Sequence, residues 1–469
     1  MTYDTIAAIA TPPGKGGIGI IRISGPDAER ILNDVFRPLS HFSGISSRDS
    51  RRDESGFQWE SHKMVYGRLM DGKEMLDEAM AVLMRSPNSY TREDVAELQL
   101  HGNSFLLSEA LQLCVSRGAR MADPGEFTRR AFRNGRIDLS QAEAVMSLIQ
   151  SETREQQRAA IRQLEGGASS FVRGLSEKLL DLQAGLTACI DYPEEVSDEE
   201  GCASLRPGLE SLLKELDSSI DERSSHLLYD GLHVTLFGRP NGGKSSLLNL
   251  LTGEDRAIVT SIPGTTRDVL EGSILLDGIQ IHLTDTAGLR STEDPIERIG
   301  VARSKKAIEQ ADIRILILDG SETLSQEDEK HLLSLEEKDA VVINKSDLPQ
   351  CIDPEEIKGI FLKRVSNAAP KILSVSALDE ASLFPLKEFL RQSGAIRSGL
   401  SVTSPRHLSA LRSASKHLHD ALLSLEAHCP PDLISIDLQS AQSTLCEITG
   451  ETAGEKLLDR VFSSFCVGK

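Results

Sequence analysis

No run of about 18 consecutive apolar residues, the length that spans a bilayer as a helix, occurs in this 469-residue chain. The first twenty residues lack a basic stretch followed by an apolar one, so an export signal is not expected. Cysteine is scarce and scattered: Cys114, Cys189, Cys202, Cys351, Cys429, Cys446 and Cys466 form no C-x-x-C pair and no zinc-ligand spacing. A disulfide framework is thereby excluded, and free thiols in a reducing cytoplasm are expected. Basic residues are also in deficit, with 52 Lys+Arg against 71 Asp+Glu and a formal net charge of −19. Such a surface repels phosphate backbones at long range, which excludes a nonspecific nucleic-acid coat but leaves a local RNA contact open. No internal repeat is present. What remains is globular, 39% hydrophobic and 26% charged, and long enough for roughly three domains at about 150 residues each.

To about residue 120 the pattern is mixed α and β, opening with apolar segments around the turn Gly14-Lys15-Gly16-Gly17. Residues 43–56, rich in Ser, Arg and Asp, are expected to be a solvated loop. Between residues 126 and 229 the pattern is helical. Ser140-Gln141-Ala142-Glu143 has the form of a capping box, and Gly166-Gly167 marks a stop. From residue 232 to about 391, β-branched runs at 232–237, 279–283, 313–318, 341–343 and 372–375 are mostly separated by helical stretches, the signature of a largely parallel sheet. Arg314 inside one of these runs has no explanation from sequence. Beyond residue 400 the pattern is helical again. Periodicity alone does not decide between an α/β domain inserted into a helical one and four units in a row.

Gly238-Arg239-Pro240-Asn241-Gly242-Gly243-Lys244-Ser245 fits G-x-x-x-x-G-K-[ST] and lies between a strand-like run and a helical segment, the context a phosphate loop requires. Its glycines free backbone N–H groups to face phosphates, Lys244 neutralises the β- and γ-phosphates, and the Ser245 hydroxyl can ligate Mg²⁺. Downstream stand Asp285-Thr286-Ala287-Gly288 as D-x-x-G, Asn344-Lys345-Ser346-Asp347 as N-K-x-D and Ser376-Ala377-Leu378 as S-A-x. The Asp347 carboxylate can accept from N1–H and the 2-amino group of guanine, donors that adenine lacks. Four motifs in this order specify GTP. The switch between Lys244 and Asp285 is expected at Gly264-Thr265-Thr266-Arg267-Asp268, with Thr266 on Mg²⁺. Leu289 stands where a Ras-like GTPase places its water-orienting glutamine. Glu293, Asp294 and Glu297 are alternatives for that task, while Arg239, Arg267 and Arg290 are the arginines within reach of the phosphates by sequence.

With these motifs placed, the chain resembles the bacterial MnmE (TrmE) tRNA modification GTPase family over essentially its whole length. The resemblance rests also on Ala10-Thr11-Pro12-Pro13-Gly14-Lys15-Gly16-Gly17, Arg22-Ile23-Ser24-Gly25, Tyr90-Thr91-Arg92-Glu93-Asp94, Pro124-Gly125-Glu126-Phe127, Asp138-Leu139-Ser140-Gln141-Ala142-Glu143-Ala144 and the terminal Cys466-Val467-Gly468-Lys469. It implies a multidomain α/β plus α protein: an α+β folate-binding and dimerising domain (1–122), a helical domain (123–229 and 392–469) and a Ras-like P-loop GTPase domain inserted into it (230–391). It implies a cytoplasmic homodimer acting with a flavin-dependent partner, MnmG. Together they install an aminomethyl-type group at C5 of the tRNA wobble uridine, with carbon from a tetrahydrofolate derivative and with tRNA bound mainly by the partner.

The resemblance further implies residue roles. Glu297 orients the attacking water through a second water. K⁺ replaces an arginine finger, held by Asn241, backbone oxygens of Thr260 and Ile262, and Thr265. The nucleotide is met by Asn241, Gly242, Gly243, Lys244, Ser245, Ser246, Thr260, Ser261, Ile262, Pro263, Gly264, Thr265, Thr266, Asp285, Thr286, Ala287, Gly288, Asn344, Lys345, Asp347, Ser376 and Ala377. Arg22, Glu97, Arg136 and the terminal Lys469 match folate-binding positions, Arg136 standing where other members carry lysine. Lys469 can serve only if the C-terminus reaches the N-terminal domain. Cys466 reads either as a nucleophile, which would need a group that lowers its pKa, or as a small packing residue. The competing function is a regulatory GTPase switch acting on ribosomes or a stress-response partner, for which the folate-like segment and the C-x-G-K terminus would have no use.

Overall fold

The computed structural model describes residues 4–39, 57–191, 198–254, 270–286, 307–362, 369–396 and 402–469. The 43–56 loop, residues 260–266, Arg267, Ala287, Gly288, Leu289, Arg290, Glu293, Asp294 and Glu297 lie outside these. The chain divides into two compact units: Met1–Ile149, Arg162–Leu213 and Ser413–Lys469 form the first, and Gln150–Ile161 with Lys214–Arg412 the second.

In the first unit a seven-stranded sheet is built from β1 (Ile6–Ile9), β2 (Gly16–Ser24), β3 (Phe36–Pro38), β4 (Val65–Asp71), β5 (Glu74–Met84), β6 (Val95–Gly102) and β7 (Arg120–Met121). The order is β3-β4-β5-β6-β2-β1-β7. All pairings are antiparallel except β1 with β7. The glycine-rich turn joins β1 to β2. Alternation along β2 buries Ile21 and Ile23 against Ile31, Leu32 and Val35 of the helix Ala28–Val35 and against the helix Ser104–Ser116.

The helix Leu139–Gln150 does start near the expected box, but the reciprocal cap is Asp138 with Gln141: Gln141 N donates to Asp138 Oδ1 (2.9 Å) and Asp138 N to Gln141 Oε1 (3.0 Å). Ser140 is already inside the helix and buried, so its hydroxyl cannot cap. The stripe read to Gly166 is broken at Gln150, where a second box, Thr153 with Gln156, starts the helix Arg154–Leu164. The helix Gly167–Asp191 packs on Pro431–Thr449, and Glu455–Ser463 ends the helical set.

The second unit holds a six-stranded sheet of β8 (Leu232–Phe237), β9 (Leu270–Leu276), β10 (Ile279–Asp285), β11 (Ile313–Asp319), β12 (Ala340–Asn344) and β13 (Lys371–Ser374). Its order is β13-β12-β11-β8-β10-β9, parallel except for β9. β9 was absent from the sequence reading, although Asp277-Gly278 (φ 49° and 81°) is the two-residue hairpin signal. The helices Lys244–Glu254 and Phe384–Ser393 cover one face, and Gln326–Ser334 with Pro354–Leu362 the other. Arg314 now has its explanation. It pairs with the fully buried Asp339 (2.6 Å), which also accepts from the Arg314 amide (2.9 Å), so the charge is matched in place.

Candidate functional site

The parallel strands of the second unit end on one edge, and every described GTP motif lies on the loops there. β8 runs straight into Gly238, and the helix Lys244–Glu254 begins on the motif lysine, so the loop between them surrounds a helix N-terminus. Gly238 (φ 133°) and Gly243 (φ 90°) are required twice over: their backbones are left-handed, and a Cβ would strike the Ile317 carbonyl in one case and the Asn344 amide in the other. Asn241 also sits at positive φ, 65°.

Lys244 is 5% exposed, and its Nζ donates to the carbonyls of Gly238 (3.0 Å) and Arg239 (2.7 Å). Burial holds its pKa below the usual lysine range, with Asp285 pulling the other way. The Ser245 hydroxyl donates to Asp285 Oδ2 at 2.6 Å. A hydroxyl and a carboxylate this close, beside a phosphate loop, are the hard oxygen donors Mg²⁺ takes alongside phosphates and water. Thr286 anchors the end of β10 by donating from both N and Oγ1 to the Leu236 carbonyl (3.1 and 3.0 Å). Ser246 is exposed at the start of the helix.

Asn344 is 1% exposed and ties two loops together: its Nδ2 donates to the Gly242 carbonyl (2.8 Å) and its Oδ1 accepts from Ala377 N (3.1 Å). Lys345, at φ 62°, pairs with Asp319 at the end of β11. The Asp347 carboxylate accepts from the Ser376 hydroxyl, and Ser376 Oγ in turn accepts from Leu378 N (3.2 Å), so the N-K-x-D and S-A-x loops are locked to each other. Asp319 and Asp328 were missed by sequence reading because no motif contains them. Of the three candidate arginines, Arg239 is described; its guanidinium turns to Glu322 and Asp328, 3.4 Å from each.

The first unit gathers the other candidates. Arg22 and Glu97 are cross-strand partners on β2 and β6, with Nε 2.8 Å from Oε1. The Arg22 guanidinium lies 5.7 Å from the ring centroids of both Tyr90 and Phe127. Arg136 covers the same Tyr90 ring at 4.7 Å and donates to the Tyr90 carbonyl (3.1 Å). Helix Glu126–Arg133 supports this cluster: Thr128 bonds the Tyr90 hydroxyl (2.9 Å), and Arg130, 3% exposed, joins Asp4, Glu93 and Glu126.

The C-terminus reaches the same place. Arg129 binds Glu455 (2.6 Å) and Asp459 (2.9 Å), docking the helix Glu455–Ser463 on Glu126–Arg133. The Cys466 carbonyl then accepts from Gly125 N (3.4 Å), and the Gly468 carbonyl accepts from Arg22 Nη1 (3.2 Å). Gly468 (φ 94°) lies so close to β1 that a Cβ would collide with the Ile9 carbonyl. Lys469 is thus carried to the Arg22 cluster, and Cys466 is exposed beside it.

Family models match both parts of the chain. A family model described as GTP-binding protein TrmE N-terminus matches residues 5–136, and one described as MnmE helical domain matches residues 139–466. The chain is 42% identical to the tRNA modification GTPase MnmE of Heliobacterium modesticaldum over the whole of both chains. It is likewise 42% identical to that of Natranaerobius thermophilus over the whole of both, and 41% identical to that of Clostridioides difficile over 99% of each. The chain belongs to the MnmE family of tRNA modification GTPases.

Proposed function

We propose that this GTP hydrolase drives the addition of an aminomethyl-type group to C5 of the wobble uridine of tRNA, together with a flavin-dependent partner of the MnmG type. The observation that carries the reading is the meeting of Arg22, Glu97, Arg136 and the C-terminal tail around Tyr90. A GTPase that served only as a switch would not need this second polar site, built from residues 446 positions apart in sequence. Glu97 offers acceptors for the N–H edge of a tetrahydrofolate pterin, and Arg22 and Arg136 offer donors for its carbonyl or carboxylate groups. Bound there, the folate derivative would supply the one-carbon unit. Lys469 and Cys466 border the site, Lys469 as a further ligand.

At the nucleotide, Lys244 leaves the carbonyls of its own loop to meet the β- and γ-phosphates, and Asp347 accepts from the guanine edge. Ser245 and Thr266 would hold Mg²⁺, which neutralises charge on the phosphate oxygens. Asn241, with Thr260, Ile262 and Thr265, would hold K⁺, which supplies the positive charge an arginine finger gives elsewhere. Glu297 positions the attacking water. Residues 260–266 and Ala287-Gly288 complete the phosphate side, and closure of two copies of residues 230–391 couples hydrolysis to motion. We place the protein in the cytoplasm as a homodimer, with residues 1–122 as the dimerising part and tRNA held mainly by the partner. Among the described residues no helix is long and apolar enough to cross a membrane.

Mass spectrometry of wobble nucleosides in tRNA from cells lacking the protein tests the reading. C5-substituted uridines should vanish and return with the wild type but not with Glu297→Ala; an unchanged nucleoside profile would overturn it. Hydrolysis should also run faster in KCl than in NaCl at equal ionic strength, and equal rates would remove K⁺ from the site.

A further inference from the structure

The phosphate loop and the guanine loop are held by the same short stretch of chain, the connection from β11 to the helix Gln326–Ser334. At its start Asp319, itself bonded to the Ser321 hydroxyl (2.6 Å), pairs with Lys345 of N-K-x-D. Gly320 donates to the Asn344 carbonyl (2.9 Å) and accepts from Cys351 N (2.7 Å). At its end Asp328, whose side chain is 6% exposed, makes a capping box with Ser325: Ser325 Oγ donates to Asp328 Oδ2 (2.7 Å), and Asp328 N donates to Ser325 Oγ (3.2 Å). The same Oδ2 lies 3.4 Å from Arg239 Nη1, which is shared with Glu322 Oε2 at 3.4 Å. Arg239, Asp319, Glu322 and Asp328 line a cavity of about 110 Å³.

We infer that Arg239 is a positioning residue for the nucleotide, acting through the buried Asp328 rather than on the phosphates themselves. Its carbonyl holds Lys244 Nζ while its side chain is pinned to the connection below. The loop between therefore has one end set by β8, the other by the helix Lys244–Glu254, and its second residue by an ion pair. Breaking an ion pair to a buried acid costs more than breaking one in solvent, because removing the arginine leaves the buried Asp328 without this cation. Arg239 also immediately precedes the segment in which Asn241 adopts φ 65°, a conformation that needs outside support. Pinning that serves GTP and GDP alike raises affinity without changing the chemical step.

This rests on the GTP-site reading above, and the test separates the two. Measure GTP hydrolysis and binding of a fluorescent GDP analogue for the wild type, Arg239→Ala, Arg239→Lys, Asp328→Asn and Ser325→Ala, with urea unfolding of each. Arg239→Ala and Asp328→Asn should raise KM and the GDP Kd about tenfold while kcat falls less than threefold, and Arg239→Lys should recover most of the affinity. Ser325→Ala breaks the capping box but not the ion pair, so it should lower stability and leave Kd within twofold. Unchanged Kd in Arg239→Ala, or an equal loss in Ser325→Ala, overturns the proposal. An equal loss of kcat and kcat/KM in Arg239→Ala also overturns it, since the arginine would then act in the transition state. Failure of the GTP reading looks different: ATP would compete as well as GTP in the wild type, whatever Arg239 does.

Discussion

Single residues carry the close approaches on which both sites depend. Gly468 is the sharpest case, because its left-handed backbone and its contact with Ile9 both exclude a side chain. Gly468→Ala should lift the tail from β1 and free the Gly468 carbonyl from Arg22. Carboxypeptidase should then remove Lys469 several times faster than from the wild type, with no change in GTP hydrolysis by the separate nucleotide site. Equal trimming rates would mean the tail is not docked. The sequence named Gly468 only as part of a terminal motif. It could not show that the glycine is needed by a strand more than 450 positions away, since contact order is invisible to local pattern. The same holds for Asn344, read as part of a base-recognition motif. Its amide ties Gly242 to Ala377, a bridge between two loops that the motif alone does not announce.

Elements were legible where period and punctuation agreed. The parallel strands of the second unit appeared as β-branched runs, and their ends carried the motifs, because such strands are buried on both faces and place their C-terminal loops together. β9 escaped because its sequence, Leu-Glu-Gly-Ser-Ile-Leu-Leu, is poor in β-branched residues, and its strand state comes from pairing with β10. The cap at Asp138 was displaced by two residues for a related reason: Ser140 and Glu143 fit the box, but burial of Ser140 decides against them. The helix Glu222–Tyr229, which leads into β8, holds a feature that sequence left unread. Burial alone would lower the His226 pKa, but bonds to Asp312 (3.1 Å) and Asp230 (3.1 Å) outweigh it and raise the value above 6.5. His233 stacks beside it at 6.2 Å and His282 beyond at 4.9 Å. A raised pKa means the folded state holds the proton more tightly than the unfolded one. The stabilisation is therefore complete below about pH 6.5 and fades as pH climbs through the folded value. Urea midpoints of His226→Gln and wild type should differ most at pH 6 and converge by pH 9. A gap that does not narrow with pH would show that packing, not charge, is what His226 contributes.

For the whole molecule, composition excluded classes and motifs assigned chemistry, but neither could show how the chain is partitioned. The GTP motifs lie in the unit formed by Gln150–Ile161 and Lys214–Arg412, whereas the chain's one tryptophan lies in the other. Trp59 is 4% exposed, packed against Phe36 and Phe57 with ring centroids 5.8 and 5.0 Å away, and its indole donates to Asn33 (2.8 Å). Its fluorescence therefore reports melting of the first unit alone. GDP binds the folded second unit and stabilises it by about 2.7 kcal/mol at a hundred times its Kd. If each unit melts as its own cooperative body, GDP should raise one calorimetric transition by several degrees and leave the Trp59 transition where it was. If instead the fluorescence midpoint rises with the calorimetric one, the two units unfold as a single cooperative body. The sequence could not have settled this, because each unit is assembled from separated segments of one chain.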